Sequence, residues 1–142
     1  MMSPGRRTQS QWSEAAARCL EEAEAIRRRR QYEELVGQAW LFLHQHGLGQ
    51  TLAYLQARGG NRPESPYQLL FEHLARQLTT RHPRLSNDIL AALVKEDSRL
   101  YRQASVETWG FLQALRRAIT AQGRESAGAG RETRPAPPAE GQ

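Results

Sequence analysis

The sequence predicts an all-α protein, a compact bundle of about six helices with a disordered C-terminal tail, and three observations carry that expectation. Apolar residues recur at spacings of three and four along most of the chain, the pattern of one helix face turned to a core. Capping and stopping residues stand between those stretches. No alternating run rich in Val, Ile and Thr occurs, and no hairpin dipeptide separates two apolar runs, so strands have no signal. The division expected is a flexible N-terminus over 1–10, one helical domain over 11–122, and a tail over 123–142.

The first stripe is Trp12, Ala16, Cys19, Ala23 and Ile26. Being mostly alanine, it buries little area by itself and predicts a helix that leans on a neighbour or on a partner subunit. A break is expected in the run Arg27 to Arg30, because arginines near a helix C-terminus offset the negative end of its dipole. A stronger stripe follows in Tyr32, Leu35, Val36, Ala39, Trp40 and Leu43, closed by Gly47.

Leu48 to Ala57 reads as a short buried helix through Leu52 and Leu55, stopped by Gly59-Gly60. The next start is well marked: Ser65 caps, Pro66 suits the first helical position, and Gln68 completes a capping box. Tyr67, Leu70, Phe71, Leu74, Ala75 and Leu78 then face the core. His82-Pro83 interrupts, Ser86 can cap again, and Ile89, Leu90, Leu93 and Val94 make a two-turn stripe. The last helix carries Leu100, Tyr101, Ala104, Phe111, Leu112, Leu115, Ala118 and Ile119, tolerates Gly110 at about 1 kcal/mol relative to alanine, and ends before Gly123. From Gly123 to Gln142 no large apolar side chain occurs, too little to offset the entropy of ordering the segment.

At 142 residues the chain matches one ordinary domain, able to bury a core without metals or disulfides. No window approaches the roughly 20 apolar residues of a membrane helix, and the first residues lack a secretory signal's apolar stretch, so a cytoplasmic protein without membrane association is expected. The lone Cys19 has no disulfide partner and no second thiolate for zinc; it reads as a small apolar packer. The net charge is +5, and of the 20 basic residues only Lys95 is a lysine. That bias fits phosphate recognition or a GC-rich genome equally well.

No catalytic constellation emerges. His44 and His46, two apart on one helix, diverge by about 200° and cannot share a metal. His73 and His82 flank a helix end without a neighbouring carboxylate-histidine pattern, and Asp88, Glu96 and Asp97 suit helix starts better than a magnesium site. Phosphate loop, nucleophile elbow and dinucleotide fingerprint are all missing. The expectation is therefore a non-enzyme with no cofactor and no metal.

The arginines carry more information by position. Arg99 and Arg102 are three apart, Arg116 and Arg117 lie about four turns on, and with Lys95 they form a basic strip suited to a phosphate backbone. The other reading is a solvated face paired with Glu107 and Glu96. Arg27 to Arg30 pose the same choice, with Glu21, Glu22, Glu24, Glu33 and Glu34 alongside. A helix-turn-helix over Leu85 to Ala118 is disfavoured by Trp109 and Phe111, where a recognition helix would show polar side chains.

The segment Gly47-Leu48-Gly49-Gln50-Thr51-Leu52-Ala53-Tyr54-Leu55-Gln56-Ala57-Arg58-Gly59 resembles the signature of the small helical subunit of type III-B CRISPR effectors, the Cmr complex. Tyr101-Arg102-Gln103-Ala104, Glu107 and Phe111-Leu112-Gln113-Ala114-Leu115-Arg116-Arg117 resemble that family's last helix, in the same order and spacing. The resemblance covers about residues 11 to 121. Two positions depart from it: no proline interrupts the helix through Trp40, and the tryptophan of the last helix is Trp109 rather than one near Ala114.

The resemblance implies a non-catalytic all-α subunit that self-associates head to tail beside the guide-RNA backbone subunits, with the large subunit in the same complex. It also implies that such a subunit holds the guide RNA–target RNA duplex, mainly by the target strand, in antiviral defence. Guide–target pairing reads the sequence, so only non-specific contacts to phosphate and sugar are required. The residues expected to supply them are Arg58, Lys95, Arg99, Arg102, Arg116 and Arg117, with Arg27, Arg28 and Arg30 behind them; the alanine-rich first helix is the expected partner face. A protein-only spacer or adaptor, or a small helical DNA-binding regulator, are the other functions the residues permit.

Overall fold

The computed structural model describes residues 6–85, 88–95 and 98–133. Among them are six α-helices and no strand: α1 (Arg6–Ala25), α2 (Arg29–His46), α3 (Leu48–Gly59), α4 (Pro66–Arg81), α5 (Ile89–Lys95) and α6 (Ser98–Thr133), with a 3-10 turn at Pro83–Leu85. The all-α bundle expected from periodicity is the fold observed.

Its ends differ from expectation in two places. Helix α1 begins at Arg6, so residues 6–10 are helical; an apolar stripe marks only the part of a helix that is packed, and this first turn carries none. Helix α6 runs past Gly123 to Thr133 and takes in the first part of the expected tail. Glycines weaken a helix without breaking it. Residues 1–5 and 134–142 lie outside the described residues.

Helix α6 packs mainly on α1 and α2, α4 packs on α3, and α2 touches α1, α3, α4 and α6. Trp12, Ala15, Ala16, Cys19, Leu20 and Ala23 of α1 are all buried within the chain. The thin stripe is therefore consumed internally: small side chains let α1 approach its neighbours closely, and its apolar face is not free for a partner. Val94 also departs from expectation, being 86% exposed. On a helix of 7 residues, Ile89 and Leu93 make one inward line, and the next position points away.

The break between α1 and α2 needs neither glycine nor proline. Arg27 has φ 58, its N–H donates to the Glu24 carbonyl at 2.9 Å, and the Arg28 N–H donates to the Ala23 carbonyl at 3.0 Å. Those two bonds make a Schellman cap with arginine where glycine is usual. Left-handed backbone costs a non-glycine residue about 1 kcal/mol, so Arg27→Gly is expected to raise stability by up to about that amount, read as a higher urea midpoint. An unchanged or lower midpoint would count against the strain assigned to this cap.

Ser65 caps α4 as expected, accepting from the Gln68 N–H at 3.4 Å. The reciprocal half of the box is missing, because the Gln68 amide donates to Glu72 at 2.9 Å instead. Asp88 caps α5 through its carboxylate and the Ala91 N–H at 3.3 Å; Ser86, expected there, lies outside the described residues.

Candidate nucleic-acid interface

Helix α6 turns Ala104, Thr108, Phe111, Leu112 and Leu115 inward. At about 100° per residue, the direction opposite that line is occupied by Arg99, Arg102, Arg117 and Arg124, with Arg116 at its flank. All five are exposed. From Arg99 to Arg124 the row covers about 37 Å of helix. Gln113, Arg116, Arg117, Thr120, Ala121 and Arg124 line a shallow open depression near its C-terminal end.

The carboxylate expected to neutralise this row is used elsewhere. Glu107 projects about 80° away from it and binds Arg81 at 3.2 Å and His82 at 2.7 Å, both at the end of α4. Arg99, Arg102, Arg116, Arg117 and Arg124 make no ion pair among the described residues; the second expected neutraliser, Glu96, lies outside them. Arg116 instead donates to Gln113 at 3.4 Å and lies 4.3 Å over the Trp40 ring.

The other expected contact residues do not join this row. Lys95 is the exposed last residue of α5. Arg58, in the last turn of α3, lies 5.3 Å and 5.8 Å from the Tyr54 and Tyr67 ring centroids. Arg27 and Arg28 are exposed in the α1–α2 connection, while Arg30 reaches Glu34 at 3.8 Å. The intrahelical pairing expected for this run is strongest at Arg29, which binds Glu33 at 2.7 Å and also reaches Gln122 of α6. Arg124, read from sequence as part of a neutral tail, belongs to the α6 row; its spacing of seven from Arg117 was the available signal.

Two histidines have the carboxylate partners that local sequence did not offer. His73, 1% exposed, accepts from the Tyr32 hydroxyl at 2.6 Å through Nδ1 and donates to Glu22 at 2.8 Å through Nε2. Burial holds its pKa below the ordinary value and outweighs the nearby carboxylate, so the ring is neutral. Burial pushes the Glu22 carboxyl up, but its hydrogen bond with His73 and the Arg76 guanidinium at 3.2 Å hold it below its ordinary value. Burial likewise raises the Cys19 thiol to about 11, consistent with a packing role. These groups tie α1, α2 and α4 together. No group of three His, Cys, Asp or Glu is placed to hold a metal among the described residues, and no helix there is long and apolar enough to cross a membrane.

Residues 8–122 match the family model of the CRISPR-associated protein (Cas_Cmr5). The chain belongs to that family. A comparison with curated proteins finds no match. The Cas_Cmr5 match spans α1 through most of α6, including four of the five arginines in the exposed row; Arg124 falls just beyond it.

In this Cas_Cmr5 chain the two segments that carried the resemblance touch each other. The Gly49 N–H, in the first turn of α3, donates to the Tyr101 hydroxyl of α6 at 2.8 Å. At the other end of α3, a Cβ on Gly59 would lie 2.8 Å from the backbone N and Cα of Gln68. The glycine-rich segment thus fits α3 against both α6 and the start of α4, which makes it a packing motif rather than a phosphate loop.

Proposed function

We propose that this chain is the small, non-catalytic subunit of a type III-B RNA-guided effector, and that its α6 arginine row holds the target RNA strand by its backbone. Family membership supports a CRISPR effector subunit. The observation that carries the RNA assignment is the exposed row of five arginines without an ion pair among the described residues. Row geometry suits contact with a phosphodiester chain that wanders along a helix and needs no base-reading side chain. Guide–target pairing supplies the sequence specificity.

Head-to-tail stacking needs two unlike faces. With the α1 stripe buried, the exposed large apolar residues among the described residues are Leu41 on α2, Val94 on α5 and Trp109 on α6. They lie on separate helices, as a heterologous contact requires.

The test is charge reversal of Arg99, Arg102, Arg116 and Arg117 to glutamate in the assembled complex, with target-RNA affinity followed against salt. The expected result is weaker binding to all sequences alike, with the slope of log affinity on log salt reduced by about one per arginine. Unchanged affinity and slope would remove the site assignment. A protein-only spacer is the second reading, favoured by the engagement of Arg29 and Arg30 with glutamates. Zero-length crosslinking separates the two, since only the first puts α6 arginines in contact with RNA.

A further inference from the structure

Among the arginines of α6 stands one aromatic side chain that folding leaves in water. Trp109 is 40% exposed. It is flanked at spacings of seven by Arg102 and Arg116, so the three side chains lie on one line with about 10 Å of helix between neighbours. Its ring neighbour is Trp40 of α2, with centroids 6.4 Å apart and planes tilted by 35°. Trp40 is itself engaged: the Arg116 guanidinium lies 4.3 Å over its ring, and His44 stacks near it at 6.2 Å and 11°. The Trp40 indole N–H is buried without a hydrogen-bond partner among the described residues. Trp40 thus forms a fixed wall behind Trp109, and Trp109 keeps an accessible indole surface.

We propose that Trp109 is a stacking platform for an unpaired nucleobase of single-stranded RNA, with Arg102 and Arg116 holding the phosphates on either side. This rests on the RNA-backbone reading of α6 and adds the contact that distinguishes a strand with bases from a bare polyanion. The occupant follows from charge: a tryptophan between arginines that make no ion pair among the described residues complements an apolar planar group carried on an anionic chain, and nucleic acid is that chain. Stacking accepts any base, because each has a π face, so the site remains sequence-tolerant.

The test compares oligouridylate with an abasic oligonucleotide of equal length and charge, titrated against the full chain at low salt, with tryptophan emission and strand anisotropy recorded together. Expected are quenching by oligouridylate but not by the abasic strand, and about tenfold tighter binding of the base-carrying strand. Trp109→Leu should abolish both differences while leaving abasic affinity and the salt slope unchanged, and Trp109→Tyr should restore most of the base dependence. If Trp109→Leu keeps the quench and the preference for bases while the arginine reversals weaken both strands, stacking is overturned and the backbone reading stands. Failure of both strands to bind would overturn both. Unaltered RNA binding by Trp109→Leu, with loss of co-purifying effector subunits, would make the patch a protein interface and overturn stacking alone.

Discussion

Replacing Gly110 by alanine is expected to destabilise the protein by about 1–3 kcal/mol, with a fall in Tm of roughly 3–10 °C. Helix propensity alone predicts the opposite, a gain of about 1 kcal/mol for alanine over glycine in a helix interior. The sign is reversed by Trp12, whose ring carbons Cζ3 and Cη2 would lie 2.5 Å and 2.6 Å from the new Cβ. The Trp12 ring is buried at 3% exposure and cannot swing aside into solvent without leaving the core. Trp12→Leu should cost a few kcal/mol by itself through lost packing, yet largely remove the penalty of Gly110→Ala in the double variant, because the two changes act on one contact. Chemical denaturation of the four proteins measures this cycle. Additive single effects, or a stabilised Gly110→Ala protein, would show that α1 and α6 have room the structure does not give them.

His73→Leu is expected to cost about 2–4 kcal/mol, chiefly because it leaves the Tyr32 hydroxyl, fully buried, with only the weakly accepting Cys19 sulfur in place of the imidazole. Adding Tyr32→Phe should recover part of that loss, since removing both halves of a buried hydrogen bond is cheaper than removing one. A further loss in the double variant would mean that the hydroxyl keeps a good acceptor without the imidazole.

The same string sets an acid limit. His73 has a folded-state pKa below its ordinary 6.5, so the unfolded chain binds its proton more readily. The associated stability is complete above about pH 6.5 and is lost as pH falls through the lower folded value. Glu22, held below its ordinary 4.5, acts in the same direction at lower pH, because its contribution is present above 4.5 and disappears as the carboxylate is protonated. Unfolding free energy followed from pH 8 downward should decline in these two stages, and His73→Leu should flatten the upper one. A stability that rises on acidification toward pH 5 would contradict both directions.

What the sequence determined by itself was the set of helices, the caps at Gly47 and Ser65, the break without glycine near Arg27, and the family through two motifs. Each depends on residues within a few turns of one another, where spacing, dihedral preference and local hydrogen bonds act directly. The arginines of the last helix were also legible as a strip. Whether that strip was neutralised was not, because the answer depends on where Glu107 turns, and Arg81 and His82 reach it from another helix.

The tertiary structure alone decided matters of that kind. It buried the alanine stripe of α1 within the chain, gave His73 a carboxylate from α1 and a hydroxyl from α2, and made Gly110 a necessity by laying Trp12 across it. It also set Trp109 in water beside Trp40. The physical reason is common to all of these: a side chain's energy depends on what faces it, and facing groups far apart in the chain leave no mark at the spacings that sequence patterns record.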